Sequence, residues 1–133
     1  MLVVGGENLI DLVSKGSNVD VLPTYVANPG GSPYNVAIAA SRQGQEVSYL
    51  TPISEDALGV LLASRLLESG VDIVASRVSN PTSLAVVSLT DGMPSYSFHR
   101  NDTAERQVSL KELERILPVT RVSLCWESQP NKR

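Results

Sequence analysis

The chain has 133 residues, 42% hydrophobic and 19% charged, enough for one domain with a core of its own. A net charge of -3 argues against a nucleic-acid surface, and no apolar run reaches membrane-spanning length. The single cysteine, Cys125, excludes an internal disulfide and suits a reducing compartment. Residues 1–4 are a short apolar run stopped by Gly5-Gly6, which predicts a buried strand with no signal peptide before it. Residues 20–28 favour β structure through Val21, Thr24, Tyr25 and Val26, but Pro23 demotes them to an edge or lid strand. A helix is predicted over 33–43, closed by Gly44, then a strand over 47–51. Ser54-Glu55-Asp56 opens a second helix with Leu58, Leu61, Leu62 and Leu66 on one face, and Gly70 ends it before a strand over 71–74. Runs 84–89 and 94–99 flank Asp91-Gly92, a hairpin signal. Ser109-Leu110-Lys111-Glu112 is a capping box, predicting a helix with Leu110, Leu113, Ile116 and Leu117 inward and Pro118 as its stop. The alternation of strands and helices predicts an α/β fold with a parallel sheet.

The densest signal is Gly30-Gly31-Ser32-Pro33-Tyr34-Asn35-Val36-Ala37. It reads as a glycine turn running into a helix, with Ser32 as N-cap and Pro33 at the first helical position. Asn35 then lies about one turn in, where its amide offers a donor and an acceptor, a pairing suited to a neutral polyol. A glycine loop capping an ordinary βα unit has the same local pattern. Other chemistries lack their residues. Glu7 breaks a GxGxxG after the first strand, no Walker loop occurs, no Cys/His spacing suits zinc, and His99 is the only histidine, without a triad arrangement.

The stretch Gly30 to Ala37, with Gly6-Glu7-Asn8-Leu9-Ile10-Asp11 upstream, resembles the ribokinase-like (PfkB) family of carbohydrate kinases over about residues 1–120. Gly30, Gly31, Asn35, Ala37 and Gly44 fit the family's first signature, and Asp56 and Gly59 fit the next loop. Ser54 departs from it, standing where a Gly is usual. The resemblance implies a ribokinase-like α/β sandwich with a small β lid built from about 13–28 and 82–100. The lid shields the sugar and in several members mediates dimerisation. Residues 1–121 are then the sugar-binding part and 122–133 a divergent tail.

The resemblance also implies roles. Asp11, whose ionised carboxylate only accepts, would take sugar hydroxyls, with a solvated turn aspartate as the alternative. Gly30 and Gly31 would allow close backbone approach, and Asn35 would hold a hydroxyl. The run Phe98 to Arg106 looks like fructokinases and 2-keto-3-deoxygluconate kinases, where an aromatic residue and an arginine reach the substrate. That brings in Tyr96, His99 as a lining residue, and Arg100, whose alternative is pairing with Asp102 or Glu105. Fructose is the first substrate implied and 2-keto-3-deoxygluconate the second, with ATP and Mg2+ as cofactors of the parent enzyme and the cytoplasm as its location. No nucleic-acid or membrane partner is expected.

The family's catalytic base lies in a Gly-Ala-Gly-Asp motif in the second half of a chain more than twice this length. That motif is absent here, so no catalytic and no metal-binding residue is assigned, and the 133 residues are expected to be inactive alone. A sugar-binding fragment without catalysis is the alternative reading. The strand begun at Val122-Ser123-Leu124 turns into Cys125-Trp126-Glu127-Ser128 where the family has a Gly-Ser turn. Read one base later, these codons can restore Gly-Ser if Ser128 uses a TCN codon. A frameshift near 119–124 is therefore expected, with a natural divergent tail as the alternative. Half of a doubly wound sheet would leave an open strand edge, so oligomers or poor solubility are expected.

Overall fold

The computed structural model describes residues 1–15, 22–90, 93–116 and 123–127. Its elements run β1 (Leu2–Gly6), β2 (Leu9–Lys15), β3 (Thr24–Gly30), α1 (Ser32–Arg42), β4 (Val47–Tyr49), β5 (Ile53–Ser54) and α2 (Ala57–Glu68). They continue with β6 (Asp72–Ile73), β7 (Arg77–Val78), β8 (Ser83–Thr90), β9 (Met93–His99), a 3-10 turn at Ala104–Arg106, α3 (Leu110–Ile116) and β10 (Ser123–Glu127).

The expected parallel sheet is present, in the order β10-β1-β4-β6. A parallel sheet covered by helices is apolar along its strands, and Val3, Val4, Val47 and Tyr49 are buried accordingly. Tyr34 and Ala37 of α1 and Leu62, Ala63 and Leu66 of α2 complete the core around Val4, Tyr49 and Val71. Tyr34 and Tyr49 meet edge to face with centroids 6.2 Å apart. The Tyr34 hydroxyl donates to the Leu62 carbonyl at 2.8 Å. Burial pushes the Tyr34 phenol up to about 12, so it stays a neutral donor at physiological pH.

The amphipathic reading of α2 needs one correction. Leu62 and Leu66 are fully buried and Leu58 packs against the core, but Leu61 is 38% exposed. Residues 58, 62 and 66 form an i, i+4 row, while Leu61 sits about 100° round the helix from Leu62, at the flank of that row. In α3, Leu110 is 73% exposed rather than inward, because the helix opens on it, one turn before the half-buried Leu113. The Ile116 side chain, Leu117 and Pro118 lie outside the described residues. The capping box is half formed: Ser109 Oγ accepts from the Glu112 N–H at 3.2 Å, while the Glu112 carboxylate turns outward to the Ser76 N–H at 2.8 Å.

A second sheet has the order β3-β2-β8-β9. β2 is antiparallel to β3 and parallel to β8, and β9 returns antiparallel along β8. Local pattern predicts no strand at residues 9–12, yet β2 is a central strand starting at Leu9. β3 runs to Gly30, past Asn28, with Pro29 opposite Ile10. Pro29 is tolerated because β3 is an edge strand, whose outer N–H positions need no partner. The Asp91-Gly92 turn joining β8 to β9 lies outside the described residues.

Asp56 joins the two halves. Its Oδ1 caps α2 by accepting from the Gly59 N–H at 2.7 Å and from the Thr82 hydroxyl at 2.7 Å, and its Oδ2 accepts from the Thr82 N–H at 2.8 Å. Partial burial pushes this carboxyl up, but the Thr82 and Gly59 donors outweigh it and hold Asp56 below the ordinary aspartate value. A depressed folded-state value means that the stabilisation is present above the unfolded value and is lost as pH falls through the folded one. Asp56→Ala should therefore cost about 2 kcal/mol at neutral pH, roughly half from the cap and half from Thr82. In urea titrations the gap to the wild type should narrow as the pH drops below 3.8, the ordinary value. A gap of unchanged width there would show that the charge of Asp56 adds nothing to stability. Ser54 is buried, its carbonyl accepts from the Arg77 guanidinium, and it occupies the space where a Cβ on Gly59 would sit.

Candidate functional site

The turn between β1 and β2 is fixed from below by a buried polar network. The Gly6 N–H donates to Thr51 Oγ1 at 2.7 Å, and Asn8 Nδ2 donates to the Tyr49 hydroxyl at 3.3 Å and to the Pro52 carbonyl at 3.2 Å. The Tyr49 hydroxyl in turn lies 3.3 Å from the Gly6 carbonyl and 3.4 Å from that of Glu7. Burial raises its pKa far above the ordinary phenol value, so the proton stays on the oxygen that needs it as donor.

The Gly30-Gly31 junction rests on this turn. Gly31, and not Ser32, is the N-cap of α1; Ser32 and Pro33 take the first two helical positions without a side-chain cap. The reason is conformational. Gly31 has φ 109°, which an L side chain rarely adopts, and a Cβ there would strike the Glu7 carbonyl oxygen. The close approach at Gly31 is thus made by the chain's own backbone. At Gly30 the space of a Cβ is taken by the Asp11 carboxylate, which lies over the glycine. Asn35 donates its backbone N–H to the Gly31 carbonyl at 3.0 Å and exposes its side chain one turn into the helix.

Strand register decides which residues share a face. Asp11 pairs with Asn28 on one side and Ala85 on the other, and Ala85 pairs with Phe98. The next row is Val26, Val13, Val87 and Tyr96. Directly opposed residues point the same way, so Asp11, Phe98 and Tyr96 lie on one face. The Tyr96 and Phe98 rings stack with centroids 6.1 Å apart and are both exposed. His99 pairs with Leu84, and through it with Ile10, so it lies on the opposite face. Asp11 is half-buried, its pKa is raised by desolvation, and no described residue donates a hydrogen bond to its carboxylate.

Arg100, one residue beyond β9, is held in a bidentate pair, Nε to Glu105 Oε1 at 2.8 Å and Nη2 to Glu105 Oε2 at 2.9 Å. Of the two partners open from the sequence, Glu105 is the one engaged. Nη1 also pairs with Glu7 Oε2 at 3.1 Å. Ser83 Oγ bonds Glu105 Oε1 at 2.9 Å and Thr103 Oγ1 at 2.8 Å. Desolvation opposes the Arg100 charge, but Glu105, by hydrogen bond and charge, and then Glu7 hold it above the ordinary arginine value. Nothing local in the sequence marks Glu7, Ser83 and Thr103 as members of this cluster, because they meet partners distant in the chain.

The structure therefore brings Asp11, Gly30, Gly31 and Asn35 to one corner, puts Tyr96 on the Asp11 face, and ties Arg100 to that corner through Glu7. Such a set of groups can both accept and donate hydrogen bonds. Among the described residues no group of three or more His, Cys, Asp or Glu could hold a metal ion. Among them, too, no helix is long and apolar enough to cross a membrane.

Comparison with known proteins gives consistent results. Residues 1–123 match the pfkB family carbohydrate kinase. Over 118 residues the chain is 36% identical to fructokinase-1 of Oryza sativa subsp. japonica, covering 85% of this chain and 36% of that protein. A fructokinase of Rhizobium leguminosarum bv. trifolii is 30% identical over 114 residues, covering 85% of this chain and 35% of the relative. The structure of a Xylella fastidiosa fructokinase with bound ATP superposes with a TM-score of 0.77 at 30% identity, over 84% of this chain and 36% of that one. The chain thus spans about a third of the length of these relatives. The mixed α/β fold with its parallel sheet is the ribokinase-like fold implied by the sequence, and a match over residues 1–123 places the chain in the pfkB family of carbohydrate kinases.

Proposed function

We propose that the chain is the sugar-binding part of an ATP-dependent sugar kinase that phosphorylates a sugar hydroxyl, with fructose as the first substrate. The observation that carries this reading is Asp11: a half-buried, desolvated carboxylate to which no described residue donates. An acceptor with no described donor, in a half-buried place, suits donors from outside, and vicinal hydroxyls would supply them. Asn35 adds a donor and an acceptor from α1, and Gly30 and Gly31 let β3 and α1 close around the corner. The second sheet serves as the lid, its Tyr96–Phe98 face toward the sugar, whose C–H surfaces suit stacked rings. His99, on the other face, stays outside this set. The exposed edge strand β9 is where a second copy would pair, giving a homodimer through the lid.

Of the kinase parts, these residues supply the acceptor side. ATP and magnesium would be held by a second half carrying the Gly-Ala-Gly-Asp base, a motif absent from the 133 residues. We place the protein in the cytoplasm, where ATP is available and a lone cysteine stays reduced. The expected result for the 133-residue chain is saturable binding of fructose by calorimetry with no ADP formed from ATP and fructose. Absence of sugar binding by a cooperatively folded chain would refute the acceptor-site reading, and ADP release that depends on fructose would refute the inactivity of the 133 residues. Saturable binding alone is also what a non-catalytic sugar-binding protein would show.

A further inference from the structure

Arg100 is the residue that a sugar carboxylate would seek, and it is already claimed. Its Nε and Nη2 are hydrogen-bonded to Glu105, and its Nη1 is ion-paired with Glu7 at 3.1 Å. The three side chains are largely buried, with Arg100 18%, Glu7 12% and Glu105 4% exposed. Two carboxylates against one guanidinium leave the cluster one net negative charge when all three are ionised. Glu105 is further anchored by Ser83, and the Glu7 backbone lies against Gly31. The cluster therefore adjoins the sugar corner, and a ligand cannot displace either acid without breaking contacts.

We propose that Glu7 and Glu105 determine specificity in the sugar site: they neutralise Arg100, so that the site takes an uncharged sugar and refuses one bearing a carboxylate. This rests on the sugar-binding function proposed above. An incoming carboxylate would be the third acid around one guanidinium in a poorly hydrated place, where like charges repel strongly. A hydroxyl meets no such repulsion. The local motif around Arg100, shared with kinases of a sugar acid, thus gains its selectivity from residues far from it in sequence.

Calorimetric titration of the full 133-residue chain with D-fructose and with 2-keto-3-deoxygluconate tests this. The wild type should favour fructose, and Glu7→Gln should shift the preference toward the acid by about tenfold, the effect of removing one charge from a partly buried site. Glu105→Gln, which removes the charge and leaves one of the two oxygens that accept from Arg100, should shift it the same way. Thermal melts of both variants establish that each is folded before its preference is read. A wild type that prefers the acid, or cooperatively melting variants with unchanged preference, would each overturn the proposal. Binding of neither sugar would refute the sugar-binding reading itself, and this inference with it.

Discussion

Asp11→Ala is expected to lower sugar affinity about 100-fold while leaving the protein as stable as the wild type or more so. The affinity loss follows from two hydrogen bonds to a charged acceptor, each contributing roughly 1.5–3 kcal/mol, of which part is recovered by water. The stability result follows from the sign of the pKa shift. Desolvation raises Asp11 above the ordinary aspartate value and no described residue compensates. A carboxyl raised on folding costs stability when ionised, and that cost is relieved as pH falls through the raised folded value. Removing it at neutral pH removes a cost. Titration calorimetry and thermal melting at pH 7 check the two halves together. A structural aspartate would give the reverse pattern, with stability lost and affinity retained, and that outcome would remove Asp11 from the site.

Gly31→Ala is expected to be the most damaging single methyl in the corner proposed to take the sugar. Its cost has two sources: a backbone at φ 109° that alanine enters only with strain, and a Cβ that meets the Glu7 carbonyl oxygen. Neither neighbour yields easily. The Glu7 carbonyl is main chain, and the turn that carries it is tied to Tyr49, Thr51 and Pro52 through Gly6 and Asn8. A loss of about 3 kcal/mol or more is expected, by analogy with strained backbone positions and overpacked cores. Because the displaced residue is Glu7, the Arg100 pairing should loosen with it, so sugar selectivity should fall even in the folded fraction. Urea unfolding measures the first effect. A loss under 1 kcal/mol would mean that the turn moves aside freely.

Much of this molecule is legible from sequence for a simple reason: its parallel sheet and its helices are specified by local patterns. Short apolar runs, glycine stops at Gly44 and Gly70, and the Asp56 cap all act within a few residues of themselves. β2 was harder because Asp11 interrupts its apolar run, and a strand paired on both sides by partners distant in sequence carries no local signature. The exposure of Leu61 and Leu110 depends on what packs against them, which periodicity alone does not say. Asp11, Gly30, Gly31 and Asn35 could be named early because they form short motifs. The partners of Arg100 could not be fixed, since Glu7 reaches it across a fold that brings the first strand's turn beside the end of β9.

The placement of β1 has a kinetic consequence. The first strand of the chain lies between β4 and β10, with Leu2 beside Val47 on one side and Ser123 on the other. Synthesis delivers one neighbour early and the other only after almost every described element has emerged. Until then β1 waits with one ladder unmade, and so does the turn that ends it. Pairings of such long sequence separation slow folding, because loop closure must precede the contacts that repay it. The chain should therefore reach its native state late, in a step governed by the arrival of its last described strand and not by its helices.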